Sequence, residues 1–135
     1  MRYDLHEYFY ITKEINLLRQ RIADLESRAT STTSNVSGGA PNGISDKTGL
    51  ASEIADWKTK LELKLDEREK VRIEIEKYIE NIPDSRTRMI FYYRHIRLCS
   101  WHRVAQEISP YETEEACRKT HDRYIERTEK EECMH

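Results

Sequence analysis

The sequence predicts an all-α protein: a long, coiled-coil-like N-terminal helical hairpin followed by a three-helix unit of helix-turn-helix type. Three observations predict it. Apolar residues recur in steps of three and four from Tyr8 to Leu25 and again from Leu50 to Ile82. A segment rich in Ser, Thr, Gly and Asn separates these two stretches. Beyond Pro83, three shorter apolar patterns each begin at a residue suited to capping a helix. The expected division is residues 1–82 for the hairpin and 83–135 for the compact unit.

The first helix is expected from Tyr3 to about Arg28, where Gly and Pro are absent and Tyr8, Ile11, Ile15, Leu18, Ile22 and Leu25 form a coiled-coil seam. Residues 30–47 read as a flexible linker, with few groups able to offset the entropy of ordering. Its glycines lack the Gly-Lys-Ser/Thr ending and the preceding strand of a phosphate cradle. A second helix should start near Asp46 or Thr48 and run roughly 50 Å, at 1.5 Å per residue, to about Asn81, since Pro83 disfavours helix in the residue before it. Its seam is Leu50, Ile54, Trp57, Leu61, Val71, Ile75, Tyr78 and Ile82, interrupted by Lys64 and Arg68.

The linker is long enough for antiparallel packing. A lone two-helix hairpin leaves much of its apolar stripe exposed, and each buried Leu or Ile is worth about 1.5 to 3 kcal/mol. Self-association, with a dimer favoured, is therefore expected through Tyr8, Ile11, Ile15, Leu18, Ile22, Leu25, Leu50, Ile54, Trp57 and Leu61. The other reading has the C-terminal unit cover the stripe within one chain.

In the C-terminal unit, a helix from Asp84 to about Leu98 would turn Met89, Ile90, Tyr93 and Ile96 inward. Ser100 caps the next helix, in which Trp101, Val104, Ala105 and Ile108 share a face, and Pro110 stops it. Thr113 caps the third, with Glu114 and Glu115 at its positive end and Cys117, Thr120, His121 and Tyr124 facing inward. Arg118, Lys119, Asp122 and Arg123 then face outward, one or two turns from the helix start, where a recognition helix meets base edges and phosphates. Thr113 and Glu115 belong to the same candidate DNA-binding set, and Arg103 is placed on phosphates.

The run Ile82-Pro83-Asp84, Arg94-His95-Ile96, Leu98, Ser100-Trp101, Val104-Ala105, Thr113 and Cys117-Arg118-Lys119-Thr120-His121-Asp122-Arg123 resembles region four of bacterial sigma factors. More narrowly, the chain resembles phage-encoded transcriptional regulators that join such a domain to an N-terminal helical hairpin. The resemblance implies a cytoplasmic regulator of phage or prophage genes that binds double-stranded promoter DNA or host RNA polymerase. The turn Ser109-Pro110-Tyr111-Glu112 is longer than the sigma-type turn.

Composition bounds the alternatives. With 135 residues, 37% apolar and 36% charged, the chain suits small helical units with solvated faces better than one deep enzyme core. No apolar run approaches the roughly 18 residues of a membrane span, and Met1-Arg2-Tyr3-Asp4-Leu5 lacks a signal-peptide layout. Cys99, Cys117 and Cys133 suit free thiols in a reducing, cytoplasmic setting. The net charge of −2 argues against a non-specific polyanion binder, while residues 84–128 hold nine Lys and Arg against seven acids, a weakly basic balance in which Arg86, Arg88, Arg94, Arg97 and Arg103 can form a local basic face.

No catalytic constellation stands out and no cofactor is implied, so the chain reads as a non-enzyme. Cys99, His102, Cys117 and His121 have a spacing compatible with zinc, against which stands a plain core role for Cys117 with His121 hydrogen-bonded beside it. Two functional alternatives remain open. One is a DNA-packaging subunit resembling small terminases; the other is a coiled-coil adaptor that binds protein in place of DNA.

Overall fold

A computed structural model describes residues 2–34 and 42–133. Helices α1 (Arg2–Ser34), α2 (Asn42–Glu80), α3 (Ser85–Phe91), α4 (Trp101–Ile108) and α5 (Glu114–Cys133) follow in order, with a π-helical turn at Tyr92–Ile96. There is no strand among the described residues. No helix among them is long and apolar enough to cross a membrane. Both long helices extend further into the expected 30–47 linker than composition suggests, α1 to Ser34 and α2 from Asn42. The remainder of that linker, residues 35–41, lies outside the described residues.

The chain divides into two compact units, Tyr10–Glu69 and a second that joins Met1–Phe9 to Lys70–His135. This division differs from the expected boundary at residue 82, because the start of α1 and the end of α2 share a core with the C-terminal helices. Leu5, Tyr8, Ile75, Ile79 and Ile82 are buried together with Phe91 and Ile125.

In the unit Tyr10–Glu69, ion pairs link Glu14 to Lys64 at 3.4 Å, Arg21 to Glu53 at 3.7 Å and Glu26 to Lys58 at 3.1 Å. Glu14, early in α1, meets Lys64, late in this stretch of α2, whereas Arg21 and Glu26 meet the earlier Glu53 and Lys58, so the two stretches run antiparallel. The Lys64 break in the seam is an ion pair to α1, joined by Glu67 at 3.2 Å. Trp57 lies under Lys60 at 4.3 Å and Arg21 at 5.8 Å, which shields its ring with aliphatic stems and cationic heads. These exposed pairs each contribute little energy, and set register more than stability.

The expected self-association set splits in two. Tyr8, Ile11, Ile15, Ile22 and Leu25 are buried within a single chain, Tyr8 in the core around Phe91 and the others along α1, and so are not available to a second copy. The reason is that a second helical stretch runs alongside α1 and covers its most apolar stripe. Leu18, Leu50, Ile54, Trp57 and Leu61 are only partly covered. Leu17 and Leu63, outside the seam, are each 64% exposed.

The other unit holds two apolar clusters. The first is the core around Phe91, flanked by Val71, Tyr78, Ile96, Leu98 and Tyr124. The second joins Ile90, Val104, Ala105 and Cys117, flanked by Tyr93, Cys99, Trp101 and Ile108. Helix α3 lies between them, so the consecutive residues Ile90 and Phe91 are both fully buried, one in each cluster. Met89, expected inward, is 40% exposed, because the stripe that faces the clusters is Thr87, Ile90 and Phe91.

Asp84 caps α3 by accepting from the Thr87 amide at 3.0 Å and the Thr87 hydroxyl at 2.7 Å, which holds its carboxyl below the ordinary value. The single helix expected from Asp84 to Leu98 is not uniform. After Phe91 it widens into the π-turn, where the Arg97 amide reaches back to the Tyr92 carbonyl at 3.1 Å. Leu98 then takes a left-handed conformation, φ 55°, and the Cys99 amide bonds the Tyr93 carbonyl at 3.0 Å. Ser100 caps α4 as expected, accepting from the Arg103 amide at 3.2 Å.

Among the described residues Phe91 is the largest fully buried side chain, and it touches aromatic rings on both α2 and α5. Replacing it with alanine is expected to cost about 3 to 5 kcal/mol of unfolding free energy in a urea titration.

Candidate nucleic-acid interface

Helix α5 starts where the sequence requires. Thr113 Oγ1 accepts from the Ala116 amide at 3.2 Å, and the Thr113 carbonyl accepts from Cys117 at 3.1 Å. Glu114 and Glu115 occupy the first turn, where the helix dipole favours negative charge. Cys117, His121 and Ile125 are buried, and Thr120 and Tyr124 are partly so. Ala105 of α4 shares the cluster of Cys117, and its small side chain lets the two helices approach closely. The opposite side of α5 exposes Arg118, Lys119, Asp122 and Arg123 together with Glu115.

The turn between α4 and α5 is held from outside. The Glu112 carboxylate accepts from Arg86 Nε at 3.0 Å and Nη2 at 2.6 Å, a bidentate pair. The third arm of the same guanidinium, Nη1, donates to Thr120 Oγ1 at 2.7 Å. Arg86 on α3 thereby ties the turn to the second turn of α5, and this fixes the start of α5 relative to α3. The guanidinium beside it holds the Glu112 carboxyl below its ordinary value. In the sequence Arg86 is one of the nine basic residues between 84 and 128; its partner lies 26 residues away and has no local signature.

Most cations of this unit are likewise engaged. Arg88 donates to the carbonyls of Ile82 at 2.6 Å and Pro83 at 3.0 Å and to the Ser85 hydroxyl at 2.7 Å. Arg94 donates to the Cys99 carbonyl at 3.0 Å and lies 4.6 Å over the Trp101 ring, and burial lowers its pKa. Arg103, expected on phosphates, pairs with Glu107 at 2.7 Å, and Lys119 pairs with Glu115 at 3.0 Å. These last two are solvent-exposed pairs one helical turn apart, worth a few tenths of a kcal/mol and readily exchanged for another anion.

Arg127 lies 5.4 Å over Tyr124. Among the described residues, Arg97, Arg118 and Arg123 have no ion pair. Arg123 and Arg127 also line a cleft of about 380 Å³ with Asp84, Thr87, Thr120 and Tyr124, at the edge where α5 passes the start of α3.

Cys99, His102, Cys117 and His121 do not converge. His102 Nδ1 bonds Glu114 at 3.0 Å on the surface and its Nε2 bonds Gln106 at 3.0 Å. His121 points the other way, its Nε2 2.6 Å from that of His95. Cys117 stays in the core, where burial raises its thiol pKa. Among the described residues no three His, Cys, Asp or Glu side chains gather to hold a metal.

Breaking the Arg86 clamp has a signed pH signature. Because the folded-state pKa of Glu112 lies below its ordinary value of 4.5, its contribution is complete above pH 4.5 and is lost as pH falls through the folded value. Glu112→Gln is expected to lower stability by about 1 to 2 kcal/mol at pH 7, discounted for the exposed part of Arg86, and to flatten the loss of stability below pH 4.5. Urea titrations from pH 7 to pH 3 measure both.

Compared with known families, curated proteins and solved structures, the chain matches none at a significant level.

Proposed function

We propose that this protein is a sequence-specific DNA-binding transcriptional regulator of phage or prophage genes. In this reading α3 to α5 form a helix-turn-helix domain carried on an oligomerising helical hairpin. One observation carries it: α5 is capped by Thr113, buried along Cys117, His121 and Ile125, and exposes Arg118, Lys119, Asp122 and Arg123 on its far side. A helix held in that way by its inner face leaves a cationic outer face for a major groove.

The roles divide by engagement. Arg118 and Arg123, without an ion pair among the described residues, are the base-edge or phosphate contacts that need no internal bond broken. Lys119 and Arg103 exchange Glu115 and Glu107 for phosphates, and Thr113 and Glu115 lie at the helix start nearest the groove. Among the described residues from 84 to 128, Arg97, Arg118 and Arg123 are the uncommitted arginines, a short list, so affinity should be modest and set by specific contacts more than by charge. The partly covered Leu18, Leu50, Ile54, Trp57 and Leu61, with the exposed Leu17 and Leu63, are the surface offered to a second copy, and a dimer suits paired half-sites.

The internal engagement of Arg86, Arg88 and Arg94 favours one other reading, an adaptor whose C-terminal helices bind protein such as RNA polymerase. A packaging subunit shares the DNA contacts and differs in assembly, a ring in place of a dimer.

Fluorescence anisotropy on double-stranded fragments separates these readings. The double change Arg118→Ala with Arg123→Ala is expected to weaken specific binding at least about tenfold while leaving helicity unaltered. Arg103→Ala should weaken binding to all fragments alike and reduce the salt slope by about one. Full affinity in the double variant would remove the outer face of α5 from the interface; absence of binding by the wild-type chain would favour the adaptor.

A further inference from the structure

His95 and His121 meet head-on, His95 in the π-turn and His121 on the inner side of α5, with their Nε2 atoms 2.6 Å apart. Phe91 stacks on His121 at 4.6 Å and Trp101 packs edge-on against it at 5.0 Å, so the ring has little freedom to turn away. His121 Nδ1 lies 2.9 Å from Asp122 Oδ1. A carboxylate only accepts, so that nitrogen carries a proton and the His121 tautomer is set.

Two imidazole nitrogens at this separation hold one proton between them. Either His95 Nε2–H donates to the His121 lone pair, or His121 as imidazolium donates to the lone pair of His95. A second proton sets two N–H groups and two like charges face to face. The separation also argues against a shared metal, since two nitrogens on one tetrahedral zinc lie about 3.3 Å apart. Among the described residues no third ligand joins them.

The surroundings oppose the second charge. Burial, then His121, Arg94 and His6 of α1, push the His95 pKa down to about 3. From α5 the Asp122 carboxylate is in contact, and it serves His121. Helix α4 contributes the uncharged Trp101 ring, itself under the Arg94 guanidinium, and α2 contributes Tyr78 against Phe91, whose phenol burial keeps protonated. The backbone that carries His95 is the irregular part of the unit, a π-turn followed by Leu98 at φ 55°.

We propose that the His95–His121 contact is an acid-sensitive latch, which holds the π-turn against α5 while the pair shares one proton and releases it when both rings are protonated. The latch stands whether or not α5 meets DNA. Its sign follows from proton counting: where the closed pair carries one positive charge, the open form, with both rings protonated, binds one proton more between the ordinary histidine value of 6.5 and about 3. The closed form is therefore favoured above pH 6.5, and each unit of pH below it shifts the balance toward the open form by up to about tenfold.

The test uses the full chain with Trp57→Phe, which leaves Trp101 as the one tryptophan of the two. Trp101 fluorescence and the His95 ring-proton NMR signal are followed from pH 8 to below pH 3. The latch predicts that both change together, with a midpoint well below the free-imidazole value of 6.5. It also predicts that His95→Gln, which keeps a hydrogen-bonding head but takes no proton, loses about one decade of unfolding constant per pH unit from the slope below pH 6.5. A His95 signal titrating near 6.5 with Trp101 unmoved overturns the proposal, as does a His95→Gln slope equal to that of the parent. The NMR arm needs no change at His95, so it decides for or against the latch even where the glutamine variant folds poorly.

Discussion

Phe91 is the point through which the C-terminal unit is held together. Its ring is fully buried, 4.6 Å from His121, 5.5 Å from Tyr124 and 5.9 Å from Tyr78, so one side chain joins α3 to both α2 and α5. Because the inner side of α5 is committed to this aromatic cluster, its outer side is committed to solvent. The orientation of Arg118, Lys119 and Arg123 is thus a consequence of packing on the opposite side of the helix. The Arg86–Glu112 clamp adds the second constraint, fixing where α5 begins.

Local features were legible in the sequence. The caps Ser100 and Thr113, the inward set Val104, Ala105 and Cys117, and the exposure of Arg118, Lys119, Asp122 and Arg123 all follow from periodicity and capping chemistry, which operate within a turn or two. The failures share a cause, which is that long-range packing decided them. A single-stripe reading of α3 picks Met89, whereas a short helix wedged between two clusters buries the neighbours Ile90 and Phe91. Tyr8 fits the hairpin seam by its spacing, yet the core around Phe91 claims it.

The candidate site was legible only in part, because counting charges cannot tell a free cation from an engaged one. Nine basic residues between 84 and 128 read as a weakly basic surface. Arg86, Arg88 and Arg94 instead bond a carboxylate, helix-end carbonyls and a loop carbonyl. Such bonds stiffen the unit and engage those groups internally, and reusing them would leave part-buried acceptors unsatisfied. What remains is Arg97 beside the π-turn and a small cationic set on one side of α5. That pattern suits recognition by placement, in which few contacts are made and each depends on geometry.

On the proposed function, Arg118, Lys119 and Arg123 recognise double-stranded DNA by sequence. Selection of bound fragments from a random-sequence duplex pool tests it most directly. One motif is expected to be enriched over successive rounds, repeated at a fixed spacing if two copies bind together. A pool that stays random while the protein remains folded would contradict it.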